Sequence, residues 1–167
     1  TVKEGVDNAL DACEEGGVAP DIRVEIQQES DSRFCVAIED NGPGIVRTEV
    51  PKIFGRLLYG SKFHRLRQSR GQQGIGISAA GMYGLLTTGK PVRVTTRTGK
   101  RKDAHRIELV IDTHSNKPQV KKDVVVKWKK AQGTRVEIEL EGSYRGGRHS
   151  VDNYIRQISL ANPHAKI

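Results

Sequence analysis

The chain has 167 residues, 35% of them hydrophobic, with a formal net charge of +8 and a sequence pI near 9.7. That length suits one domain with a single core, and no apolar run approaches the length of a membrane span. No secretory signal stands at the start; the chain opens on Thr1, inside a helical pattern, and reads as a piece of a longer protein. Two cysteines, Cys13 and Cys35, lack C-x-x-C spacing and give zinc or thioredoxin-like chemistry no support. They fit reduced thiols in an intracellular protein. The basic balance favours an acidic partner, a nucleic acid or a polyphosphate.

Thr1 to Glu15 predicts a helix, with Val2, Val6, Ala9, Leu10 and Cys13 at apolar helical spacing. Glu4, Asn8 and Asp11 fall at i, i+4 and i+7 and share another face, with Asp7 beside them. Gly16-Gly17 ends this helix. Asp21 to Gln27 alternates as a strand with one wet face, and Arg33 to Glu39 as a more central strand paired to it in a hairpin. The second strand runs into Asp40-Asn41-Gly42-Pro43-Gly44-Ile45. As turn chemistry this is a tight loop. As a site it holds a carboxylate able to accept a hydrogen bond from an exocyclic amine, beside glycines that admit a flat ligand.

Thr48 to Leu58 predicts a short helix with Thr48 as N-cap and Pro51 in its first turn. Tyr59 to Arg70 has no periodicity and reads as a lid, in which Ser61, Lys62 and Arg70 are candidates for polyphosphate contact. Next comes Arg70-Gly71-Gln72-Gln73-Gly74-Ile75-Gly76-Ile77-Ser78 and an apolar helix through Leu86. A glycine loop ahead of a helix start offers unpaired N–H groups to an anion. Its G-x-x-G-x-G spacing is neither the P-loop nor the Rossmann pattern, and a flexible loop before a buried helix is the alternative. Gly81 and Gly84 in that helix suit close packing.

Strands follow at Val92–Arg97, Arg106–Asp112, Val124–Trp128 and from Gly133-Thr134 through Leu140. Lys100-Arg101-Lys102, Lys121-Lys122 and Lys127 with Lys129-Lys130 are read as solvated connections between strands. Ser150 caps a final helix that Asn162-Pro163 ends. The expected architecture is α+β: a two-layer sandwich of a mixed, mostly antiparallel sheet covered by helices.

Four pieces now stand in order: Glu4-Gly-Val-Asp-Asn8, Asp40-Asn-Gly-Pro-Gly44, Arg70-Gly-Gln-Gln-Gly-Ile-Gly76, and Gly133-Thr134 opening a strand. Together they resemble the GHKL ATPases, the group of gyrase, Hsp90, histidine kinases and MutL, whose fold is the Bergerat ATP-binding fold. Phe54-Gly-Arg-Leu-Leu-Tyr-Gly-Ser61-Lys62 and Gln68-Ser-Arg-Gly71 are most similar to the B subunits of type IIB (archaeal-type VI) DNA topoisomerases.

The resemblance implies ATP and Mg²⁺ as cofactors. Glu4 matches the general base on the attacking water, and Asn8 the magnesium ligand. Asp40 matches the carboxylate that reads the adenine amine, with Gly44 beside the base and Thr134 near the same hydrogen bonds. Ser61 and Lys62 match lid residues, and Gly71, Gln72, Gln73, Gly74, Ile75, Gly76, Ile77 and Ser78 the phosphate loop. Asp7 and Asp11 are read as structural. The whole chain, 1–167, is then one partial ATPase domain, lacking the family's N-terminal strap and downstream transducer domain. Implied partners are DNA, a second copy that dimerises on ATP binding, and the separate DNA-cleaving A subunit in a heterotetramer. No membrane partner is implied, and the location is cytoplasmic, at the nucleoid. The rival readings are a histidine-kinase-like phosphotransferase and an ATP-binding regulatory module without turnover. None of the five histidines sits as the first would need, and Glu4 with Asn8 argues against the second.

Overall fold

The structure is a computed structural model that describes residues 1–54, 76–112 and 117–167. The first helix, α1, is Val2–Glu15, followed by strands β1 (Arg23–Gln28) and β2 (Arg33–Glu39). Helices α2 (Val50–Phe54) and α3 (Gly76–Thr88) come next, then β3 (Val92–Arg97), β4 (Ala104–Asp112), β5 (Lys117–Val126), β6 (Gly133–Glu141) and α4 (Val151–Ala161).

The strands form one sheet in the order β1-β2-β6-β3-β4-β5. Every neighbouring pair of these strands is antiparallel; the parallel component of the expected mixed sheet is one isolated bridge, Asp21 to Lys166. The sixth strand lies in the middle, between β2 and β3. It pairs Glu39 with Arg135 on one side and Thr96 with Thr134 on the other.

Alternation decides which face each side chain takes. Phe34, Val36 and Ile38 of β2, Val92 and Val94 of β3, and Val136 and Ile138 of β6 are buried. All of these but Phe34 join two clusters beneath the helices. One joins Val6, Leu10, Val36 and Ile38, with Tyr154 and Ile155 of α4 packed against it. The other joins Val50, Phe54, Ile77 and Ala80 to β3, β4 and β6. Leu10 and Leu109 are completely buried, each contributing about 1.5–3 kcal/mol. The opposite face of the sheet is charged and pairs across strands: Arg93 Nη1 donates to Glu139 Oε1 at 3.0 Å, and Arg135 Nη2 to Glu25 Oε2 at 2.7 Å.

The close packing expected at Gly81 and Gly84 is present. A Cβ on Gly81 would stand 2.6 Å from Val92 Cγ2, and one on Gly84 2.5 Å from the Glu139 carbonyl oxygen. Ser150 caps α4, its Oγ accepting from the Asn153 N–H at 3.1 Å. Asp7 is buried; it pairs with Lys3, one turn back along α1, and its Oδ1 accepts from the Tyr154 hydroxyl at 3.1 Å, so it ties α1 to α4.

Two expectations change. The strand read at Val124–Trp128 is Lys117–Val126, so Lys121 and Lys122 lie within a strand and Trp128 outside it. This strand is a sheet edge and most of its residues are exposed, so no buried face writes a two-residue apolar rhythm over its first half. Pro118 is tolerated at such an edge. Thr48 is not the cap of α2, because it lies in a turn and the helix starts at Val50. The C-terminal end expected for that helix, with Leu57 and Leu58, lies outside the described residues.

Candidate functional site

The apolar face of the sheet turns polar at one end. Three adjacent strands place Asp40, Thr134 and Thr96 there, and all three are buried. Asp40 follows β2 in the inward register of Val36 and Ile38. Its backbone N–H donates to the Thr134 carbonyl at 2.8 Å. Its Oδ1 accepts from the backbone N–H of Gly42 at 2.9 Å and of Thr134 at 3.1 Å. Among the described residues nothing engages Oδ2. Burial pushes the Asp40 carboxyl up to about 6, while those two N–H groups and the Lys130 ammonium pull it back down. Lys130 Nζ is 3.4 Å from Glu39 Oε1 and donates to the Asp40 carbonyl at 3.4 Å.

The turn after Asp40 is fitted closely to its neighbours. Gly44 has φ 73°, and a Cβ there would lie 2.1 Å from the Arg97 carbonyl oxygen. Gly133 has φ 133°, and a Cβ there would lie 2.2 Å from the Asp40 carbonyl oxygen. Only glycine meets both demands at either position. Asn41 fastens the turn to the loop after α1: Oδ1 accepts from the Asp21 N–H at 2.8 Å and Nδ2 donates to the Ala19 carbonyl at 3.0 Å. The Cys13 thiol donates to the same Oδ1 at 3.4 Å, and burial raises that thiol to about 11. Asp40 thus sits against the C-terminal part of α1.

Glu4 stands at the other end of the same helix. Nine residue steps of helix separate it from Cys13, about 13.5 Å along the axis. A Cβ built on Gly76, the first residue of α3, would stand 1.8 Å from Glu4 Oε2. The carboxylate therefore lies directly over the start of α3, in space that any side chain there would occupy. Asn8 is one turn further along α1 and half-buried. Among the described residues, the side chains of Glu4 and Asn8 have no hydrogen-bond partner.

Ile77 and Ser78 point elsewhere. Ile77 belongs to the core, and the buried Ser78 hydroxyl donates to the Ile53 carbonyl at 3.0 Å, joining α3 to α2. What these two can offer an anion is backbone N–H at the helix start, not side chain. Ser61, Lys62, Gly71, Gln72, Gln73, Gly74 and Ile75 lie outside the described residues.

Sequence reasoning missed Thr96, Asn41 and Lys130. Thr96 left a legible trace: Val92 and Val94 set an inward register in which Thr96 is the next member, a polar residue where an apolar one was due. Asn41 and Lys130 left none, since one belongs to turn chemistry and the other to a lysine run. A separate cavity of about 440 Å³ lies between the start of α1, the sheet and the loop before α4, lined by Val2, Phe34, Leu140, Tyr144 and Val151 among others. Neither Glu4 nor Asp40 borders it.

Residues 1–144 match the family described as histidine kinase-, DNA gyrase B-, and HSP90-like ATPase, and the chain belongs to that family. Over its whole length it is 50% identical to the B subunit of type 2 DNA topoisomerase 6 from Methanosarcina barkeri, and over 99% of its length 53% identical to the protein of the same name from Archaeoglobus fulgidus. The alignments cover 27% and 28% of those proteins, so the chain spans about a quarter of the curated relatives it matches. The ATPase region of Saccharomyces cerevisiae topoisomerase II, solved with ICRF-187, has the same fold, with a TM-score of 0.63 at 16% identity over 93% of this chain and 42% of that one. Among the described residues, no helix is long and apolar enough to cross a membrane.

Proposed function

We propose that this chain is the ATP-binding and hydrolysing domain of the B subunit of a type IIB DNA topoisomerase. The observation that carries the reading is the Glu4 carboxylate lying over Gly76 while Asp40 is held at the far end of the same helix. One nucleotide lying along α1 would then meet Asp40 with its base and Glu4 with its phosphates.

Asp40 accepts a hydrogen bond from the exocyclic amine of adenine on Oδ2, since Oδ1 is committed to Gly42 and Thr134. Gly44, whose backbone packs against the Arg97 carbonyl, sets the turn beside the base. The N–H groups at the start of α3 receive phosphate oxygens, with the positive end of the helix dipole behind them. Glu4 takes the proton of the water that attacks the terminal phosphate, a role that needs reach and orientation above all.

The residues present also fit magnesium. A hard cation takes oxygen ligands and keeps several waters beside substrate phosphates, so it asks few ligands of the protein, and the Asn8 amide oxygen is of the right kind and has no hydrogen-bond partner among the described residues. Among the described residues no cluster of three His, Cys, Asp or Glu competes as a metal cage. Asn8 Oδ1 would hold the ion, which supplies neutralisation of phosphate charge.

In the whole protein, ATP binding by two copies of this domain would join them as a dimer and gate passage of a DNA duplex through a break made by the separate A subunit. The close likeness to proteins named as topoisomerase 6 B subunits supports this part. The test is equilibrium binding of a fluorescent ATP analogue to the 167-residue chain with and without Mg²⁺. Magnesium-dependent binding that ATP competes away is expected. No binding under either condition would remove the proposal.

A further inference from the structure

Thr96 is buried at the end of β3, opposite Thr134 on β6. Its hydroxyl oxygen accepts from the backbone N–H of Ile45 at 2.8 Å. Its single proton has three acceptors in reach: the Gly133 carbonyl at 3.2 Å, the Ile45 carbonyl at 3.3 Å and the Thr134 hydroxyl at 3.5 Å. One side chain thus touches both limbs of the polar pocket, the turn that follows Asp40 and the Gly133-Thr134 start of β6. Ile45 has no strand or helix of its own to satisfy its N–H, so this bond is what fixes the turn beside Gly44. A buried hydroxyl with partners on both sides is a strut.

We infer that Thr96 is a positioning residue for the base-binding half of the site, holding Gly44-Ile45 and Gly133-Thr134 at the separation a purine needs. The inference rests on the nucleotide reading above and adds to it a residue that no motif contains. The role is selective. A ligand made only of phosphates does not use the pocket, so it should be indifferent to Thr96. The Thr96 methyl is not what bridges the limbs, so serine should serve.

The experiment measures the affinity of the 167-residue chain for Mg–ATP and for inorganic tripolyphosphate, by competition against a fluorescent ATP analogue. Thr96→Val keeps the volume and removes the hydroxyl. It should weaken ATP about tenfold, one charge-free hydrogen bond with its partner left buried. Tripolyphosphate binding should not change, and Thr96→Ser should restore ATP binding. An unchanged ATP affinity in Thr96→Val overturns the inference, as does an equal loss for both ligands or a failure of serine to rescue. Should the valine variant not fold, hydrogen exchange in the wild-type chain decides. The Ile45 amide should exchange slowly, and exchange as fast as a free loop amide overturns the strut. Asp40→Asn distinguishes the role of Thr96 from the nucleotide reading itself. If it weakens ATP and Thr96→Val does not, only the role of Thr96 fails. If the wild-type chain binds no ATP, the nucleotide reading fails with it.

Discussion

The two ends of the site along α1 are built in opposite ways. At the Asp40 end nearly every polar group has a protein partner. Oδ1 takes two backbone donors, the Asp40 N–H and the Thr134 carbonyl bond each other, and Thr96 and Asn41 tie the turn to β3, β6 and the loop after α1. At the Glu4 end the carboxylate overlies a glycine, and among the described residues neither it nor Asn8 is engaged. A rigid, satisfied pocket discriminates by shape and hydrogen bonding. Functional groups that no bond holds in place keep their full capacity for a ligand and for proton transfer. On the proposed reading, recognition and chemistry would fall to opposite ends of one helix.

The sharpest break of this contrast is Glu4→Ala. In the full complex ATP turnover should fall about 10²–10⁴-fold with nucleotide affinity little changed, measured as phosphate release beside equilibrium binding. Loss of binding with turnover per bound nucleotide intact would reverse the assignment. Asp40→Asn should do the opposite. It keeps the shape, removes the charge, and weakens ATP by about 10–100-fold, read by the same titration.

The pH dependence of the Asp40 end follows from its burial. Its carboxyl is raised from 3.8 to about 6 in the folded chain. Between about pH 4 and pH 6 the folded state holds a proton that the unfolded state has lost, so stability declines as pH rises through that window and levels off above it. The decline is of order 3 kcal/mol. Nucleotide affinity should climb across the same window, because only the ionised carboxylate offers Oδ2 without competition from its own proton. Urea unfolding and ATP titration from about pH 4 to about pH 7.5 should therefore run in opposite directions, and Asp40→Asn should flatten both.

A smaller effect separates site from scaffold. Gly84→Ala would press a methyl against the Glu139 carbonyl, 2.5 Å away. It should lower stability by about 1–3 kcal/mol in chemical denaturation while leaving ATP affinity alone at temperatures where the chain is folded. Smallest is Tyr154→Phe, which removes the hydroxyl that donates to Asp7 Oδ1 and should cost about 1 kcal/mol with no change in turnover. A catalytic defect there would move Asp7 out of its structural role.

Much of this architecture was legible because burial and rhythm coincide. The sequence reading of β2 and β3 agrees with the structure to the residue, since each packs one face against helices and both run through apolar alternation. The edge strand β5 was half hidden, because a strand exposed on both sides has no reason to alternate. The pattern could put Glu4 and Asn8 on one helical face, and it could mark Asp40 as a carboxylate at a strand end. It could not show that Thr134 reaches back to Asp40, because that contact depends on β6 being inserted between two earlier strands. The strut at Thr96 was hidden for the same reason: its partners come from two loops far away in the chain.

That inserted strand has a consequence for how the protein is made. The bond from the Thr134 N–H to Asp40 Oδ1 spans 94 residues, and such late, long-range pairings are slow to form. During synthesis the pocket stays incomplete until β6 has left the ribosome, however early α1 and the β1–β2 hairpin emerge. A nascent chain stalled before Gly133 should carry Glu4, Asn8 and Asp40 and still be unable to use nucleotide as a folding aid. On the proposed reading, nucleotide would stabilise only chains whose translation has passed β6.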